Sequence, residues 1–85
     1  MGELSSKDKL RCAVVYAAGK YNLDSCLSQV FVTDKVVGEE WLVYILAYIG
    51  GNFRNEDVVD CKDYVNDFIQ RNNPDLVFKV LFIPI

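Results

Sequence analysis

Glu56, Asp60, Asp63 and Asp67 are the side chains of this 85-residue chain whose type and spacing most plainly serve one purpose. Intervals of four, three and four residues bring all four carboxylates onto one face of a helix, because residues three and four apart are neighbours on a helical surface. The opposite face carries Val58, Cys61, Val65, Phe68 and Ile69, so the acids point away from the core. Solvated carboxylates do Coulombic work: they raise the rate of encounter with a basic surface and oppose an acidic one. General acid or base catalysis needs a carboxyl group desolvated in a concave pocket. Nothing around this stripe, or around the adjacent pair Glu39-Glu40, signals such burial. The four residues are therefore expected to bind a partner, and no catalytic residue is assigned.

Three cysteines, Cys12, Cys26 and Cys61, are odd in number and far apart, and histidine is absent. That set suits neither a disulfide framework nor a zinc site, so no metal and no cofactor is expected. The thiols read as small hydrophobes in a reducing compartment, and a nucleophilic thiol would need an activating base other than histidine. Gly50-Gly51-Asn52 precedes a predicted helix, where nucleotide folds hold a phosphate on free backbone N–H groups. No Gly-Lys-Ser follows, and Glu56 with Asp57 would repel an anion at that helix end. The stretch reads as a turn that re-aims the chain. Tyr48-Ile49-Gly50 followed by Arg54 resembles half of the signature of the GIY-YIG endonucleases. The companion strand motif has no counterpart at suitable spacing, so no residue is assigned from it.

Twelve acids against nine bases give a net charge of −3 with no Lys/Arg cluster, which argues against the phosphate backbone of a nucleic acid as a target. The sign also shifts along the chain, from +2 up to Asn22 to −3 from Asn55 onward. The polar start Met1-Gly2-Glu3-Leu4-Ser5-Ser6 is unlike a signal peptide, and it also fits the loose Met-Gly-x-x-x-Ser pattern for myristoylation. The longest apolar run, Trp41 to Ile49, is under half the roughly 20 residues of a membrane-spanning helix. A cytoplasmic protein with no nucleic-acid or membrane partner is expected. Apolar side chains at 52% and charged ones at 25% fit one small globular domain over residues 1–85.

The elements that position these residues follow from periodicity and punctuation. Ser5 and Asp8 resemble a capping box, and Leu10, Ala13, Val14 and Ala17 recur at helical spacing until Gly19, predicting a helix from Ser6 to Ala18. Asp24 can cap a single turn through Cys26 and Leu27. Gln29 to Thr33 reads as a strand, with a turn at Asp34-Lys35, then Val36-Val37 and a second tight turn at Gly38-Glu39. Asn55 as N-cap, Glu56 and Asp57 in the first turn and the apolar stripe predict a helix to Gln70, ended by Asn73-Pro74. Leu76 to Ile83 has strand composition and needs a partner for its backbone.

Trp41 to Ile49 is apolar throughout, so periodicity cannot separate strand from helix. The run, a helix of about four turns and a final strand have the length and order of a parallel strand-helix-strand crossover. The predicted fold is an α+β two-layer sandwich, helix-strand-strand-helix-strand, with two helices on a three-stranded mixed sheet. The alternative is a mostly α chain with residues 39–49 helical. The function expected is that of a non-enzymatic interaction module, a small acidic regulator or inhibitor docking on a basic surface of a partner protein. One alternative is an accessory subunit or homodimer completed by assembly. A second is a small thiol-dependent enzyme.

Overall fold

The computed structural model describes residues 6–85. In chain order these form α1 (Ser6–Lys20), β1 (Leu27–Val37), β2 (Glu40–Ile49), α2 (Asn55–Asn72) and β3 (Phe78–Pro84). The sheet order is β1-β2-β3, antiparallel between β1 and β2 and parallel between β2 and β3. This is the expected helix-strand-strand-helix-strand α+β fold. Residues 40–49 are the central strand, which removes the helical alternative. Ser5 and Gly2, the capping and acylation positions, lie outside the described residues.

α1 buries Leu10, Ala13, Val14, Ala17 and Ala18 against the sheet. It runs through Gly19, its expected end, and closes at Asn22, whose φ of 61° is left-handed. Asparagine accepts that backbone better than other non-glycine residues. The Leu23 N–H donates to the Ala18 carbonyl at 2.7 Å and the Asn22 N–H to Gly19 at 3.4 Å, the two bonds of a Schellman termination. Leu23 then turns into the core. The N–H groups of Cys26 and Leu27 both donate to the Leu23 carbonyl, giving the short turn expected after Asp24.

β1 does not break at Asp34-Lys35, which stay in register opposite Val43 and Leu42. The reason is tertiary: the Asp34 carboxylate accepts the Trp41 indole N–H at 2.8 Å and pairs with Lys7 of α1 at 2.9 Å. These partners hold a turn-forming residue in extended backbone. The hairpin turns instead on Gly38 and Glu39, with Gly38 at φ 65°. A positive φ at the first position of a two-residue loop matches the twist of the flanking strands.

Arg54, not Asn55, is the N-cap residue of α2, in extended backbone and without a side-chain cap bond. The helix overruns Gln70 to Asn72 and stops at Asn73, whose backbone N–H and side-chain amide both donate to the Ile69 carbonyl. β3 starts two residues later than expected, at Phe78. Cys61, Val65 and Ile69 of α2 meet Val14, Ala17 and Ala18 of α1 over Ile45, Ala47 and Val80 in the core.

Candidate functional site

Strand alternation sends Val43, Ile45, Ala47 and Ile49 toward the helices, where they are buried. Leu42, Tyr44, Leu46 and Tyr48 point the other way and are only half-buried. The registers assemble rows across this second face: Gln29, Tyr48 and Ile83; Phe31, Leu46 and Leu81; Thr33, Tyr44 and Lys79; and Lys35 beside Leu42. Among the described residues no helix or strand covers these rows. Phe31 meets Tyr48 edge to face, centroids 5.9 Å apart, and is still 47% exposed. The charged members, Lys35, Lys79 and Glu40, all sit toward the hairpin end, so the first two rows carry none.

The acidic stripe lies on the other side of the molecule. Glu56, Asp60, Asp63 and Asp67 are all exposed on the outer surface of α2, away from the buried Cys61, Val65 and Ile69. Arg71 pairs with Asp67 at 3.1 Å and Arg54 with Glu56 at 3.5 Å. Exposed pairs of this kind hold their partners weakly. No ion pair among the described residues engages Asp60 or Asp63. The helix therefore presents its carboxylates as solvated charge, and no carboxylate among the described residues is buried.

A cleft of about 980 Å³ opens on the helical side, between α1, the C-terminal half of α2 and the turn-proximal half of the β1–β2 hairpin. Leu10, Val43 and Ile69 form its floor, and Tyr16, Trp41 and Phe68 its walls. Asp34 lies at its rim; the indole hydrogen bond first, and Lys7 second, hold its carboxyl below the ordinary carboxylate value. Lys7 and Lys9 also line the cleft.

The thiols do not converge. Cys12 is exposed on α1, Cys26 is buried with its S–H donating to the Asn52 carbonyl at 3.2 Å, and Cys61 lies in the core. Burial pushes the Cys61 thiol up to about 11, against the thiolate that nucleophilic chemistry requires. Among the described residues no group of three or more His, Cys, Asp or Glu is placed to hold a metal ion. In the Gly50-Gly51-Asn52 loop the Gly50 N–H donates to the Cys26 carbonyl and Gly51 adopts φ 92°, so the loop ties the start of β1 to the end of β2 before α2 begins. Tyr48 stands on the open sheet face while Arg54 opens α2.

The cleft is a surface that motif reading missed, whereas an exposed sheet surface is what the assembly alternative supposes. A signal for the face was present in the sequence: with both helices on one face of a three-stranded sheet, an apolar run in its central strand leaves half of its side chains without a helix over them. No protein-family model, curated protein or solved structure matches this chain.

Proposed function

We propose that the chain is a non-enzymatic protein-interaction module, an accessory or regulatory subunit that docks through the uncovered face of its sheet. One observation carries this reading: Phe31, Leu46, Leu81, Tyr44, Tyr48 and Ile83 stand together on three adjacent strands, and no layer among the described residues lies above them. Strand spacings of about 4.8 Å and row spacings of about 6.7 Å make the three rows that hold these side chains roughly 14 Å by 20 Å. That is close to the lower end of the range for the largest apolar patch on a typical monomer, about 300 to 600 Å², and such patches often mark interaction sites. Covering about 280 Å² contributes roughly 7 kcal/mol before the costs of association are subtracted.

The acidic stripe supports a second contribution, because Asp60 and Asp63 are exposed and engaged by no ion pair among the described residues. It steers the module toward a partner protein with a basic surface, by long-range attraction that salt weakens. The absence of any buried carboxylate among the described residues supports a binding role over acid–base catalysis.

The test is the mass of the native assembly, measured by size exclusion with light scattering for three forms of the chain. Leu46→Lys places an ammonium in the centre of the face and should release the chain at 9.7 kDa. Reversal of Asp60, Asp63 and Asp67 to Lys should leave the assembly in place, slow its formation and reduce its dependence on salt. An unchanged assembly in a folded Leu46→Lys variant would refute docking through the sheet.

A further inference from the structure

We infer that the cleft on the helical side binds a small amphipathic anion, a fatty carboxylate whose head lies by Lys7 and Lys9 and whose tail runs toward Tyr16 and Phe68. The inference starts from the polarity of the cleft and is independent of what docks on the opposite face of the sheet. At the C-terminal end of α1, Lys20 lies over the Tyr64 ring and Tyr21 meets it edge on. The first half of α1 shares the cleft with the last turns of α2, so the two helices run antiparallel and the cleft has two unlike ends. Its charged lining residues, Lys7, Lys9 and Asp34, all stand at the end where α1 begins. Asp34 is engaged on both oxygens, by Lys7 at 2.9 Å and by the Trp41 indole at 2.8 Å. No ion pair among the described residues engages Lys9. Two ammonium groups against one carboxylate leave an excess of positive charge there. At the other end Ala13, Tyr16, Phe68 and Ile69 line the cleft and carry no charge.

These features separate the classes of ligand. Trp41, Tyr16 and Phe68 present aromatic faces of the kind that attract an organic cation, but both Asp34 oxygens are already used and two ammonium groups would repel it. A protein segment needs more surface than the cleft has. The nine residue steps from Lys7 to Tyr16 make it about 14 Å long, and even a mouth as wide as it is long offers about 200 Å², a quarter of the roughly 800 Å² that each partner gives to a standard interface. Its volume of about 980 Å³ lies within the range of about 300 to 1,000 Å³ typical of small-molecule sites. The C-terminal carbonyls of α2 would oppose an anion, yet the side-chain amides of Asn72 and Asn73 already donate to the carbonyls of Phe68 and Ile69. Positive charge at one end and apolar walls at the other call for one molecule with an anionic head and an apolar tail.

The single tryptophan, Trp41, lines the cleft and reports its occupancy. Laurate added to the purified chain below its micellar concentration should change Trp41 fluorescence saturably, at one molecule per chain. It should also slow iodoacetamide labelling of Cys12, the exposed thiol in the cleft wall. Decanoate, two methylenes shorter, should bind about tenfold more weakly than laurate. Decanol, with the same tail length and no charge, should bind about fivefold more weakly than decanoate. Lys9→Glu reverses the charge at the head and should weaken laurate binding about tenfold. Tyr16→Glu sets a carboxylate beside the tail and should weaken it by about as much. Both positions are exposed, so the variants keep the fold. No Trp41 response and no Cys12 protection up to about 1 mM laurate would overturn the inference. Equal binding of decanol and decanoate overturns the anionic head. Laurate binding that neither variant weakens places the site elsewhere and overturns the inference as well.

Discussion

Ile45 and Leu46 are chain neighbours of nearly equal size on the central strand, and they should respond differently to truncation. Ile45 is 0% exposed between the sheet and the helices. Ile45→Ala removes three carbons worth about 0.8 kcal/mol each, roughly 2.4 kcal/mol of transfer free energy. Its rigid surroundings, Val14, Val65 and Val80 among them, leave a cavity of about 60 Å³, which at about 24 cal/mol per Å³ adds roughly 1.5 kcal/mol. The expected cost is therefore about 4 kcal/mol, a large share of the roughly 4 to 13 kcal/mol available to a domain of this size. Leu46 is half-buried by its flanking rows, and no helix or strand among the described residues lies above it, so its truncation opens a groove to water rather than a void. The transfer term alone applies, reduced by the exposure already present, and the expected cost is about 1.5 kcal/mol. Urea denaturation at about 1 µM protein, followed by far-ultraviolet circular dichroism, measures both values. Equal costs, or a larger cost at Leu46, would refute the assignment of the two faces.

Three further outcomes follow from the site geometry. The Asp34 carboxyl is held below its ordinary value of 3.8 by Trp41 and then Lys7, so the stability it contributes is present above that value and is lost as pH falls through the lower native one; Trp41 fluorescence should report this acid transition in the wild type and lose it in Asp34→Ala. The Cys61 thiol is raised from 9.0 to about 11, so its contribution is complete below pH 9 and declines as pH rises toward 11; iodoacetamide at neutral pH should label exposed Cys12 and spare Cys61 until the chain unfolds. Gly51→Ala places a Cβ at φ 92° with only an ordinary 3.9 Å contact to the Cys26 sulfur, so its cost, about 1 to 3 kcal/mol in a melting experiment, is conformational.

Much of this fold was legible because local and tertiary preferences agree. The stripe Cys61, Val65 and Ile69 and the acidic first turn placed α2, and the unpaired backbone of β3 assigned Trp41 to Ile49 to the sheet. The boundaries that moved did so for tertiary or near-equivalent local reasons. Asp34 has turn-forming chemistry, yet the indole of Trp41 and the ammonium of Lys7 hold it extended. Gly19 and Asn22 both accept a left-handed backbone, and the bond from the Leu23 N–H, with Leu23 buried behind it, places the closure at Asn22. For the candidate site, the acidic stripe was legible from spacing alone. An uncovered sheet surface was also legible, but not which residues form it, because an apolar run read residue by residue does not say which half of it the helices reach; that depends on the number of layers, a property of the whole chain.

Hydroxyl-radical footprinting read by mass spectrometry most directly tests docking through the sheet, with the dilute purified chain compared against the native assembly. Phe31, Tyr44 and Tyr48 report the open face, while Tyr16 and Trp41, exposed on the helical side of the molecule, serve as internal standards. A docked face predicts that the three sheet aromatics are modified in the dilute chain and protected in the assembly, with Tyr16 and Trp41 modified alike in both. Equal modification of Phe31, Tyr44 and Tyr48 in the two samples would contradict it.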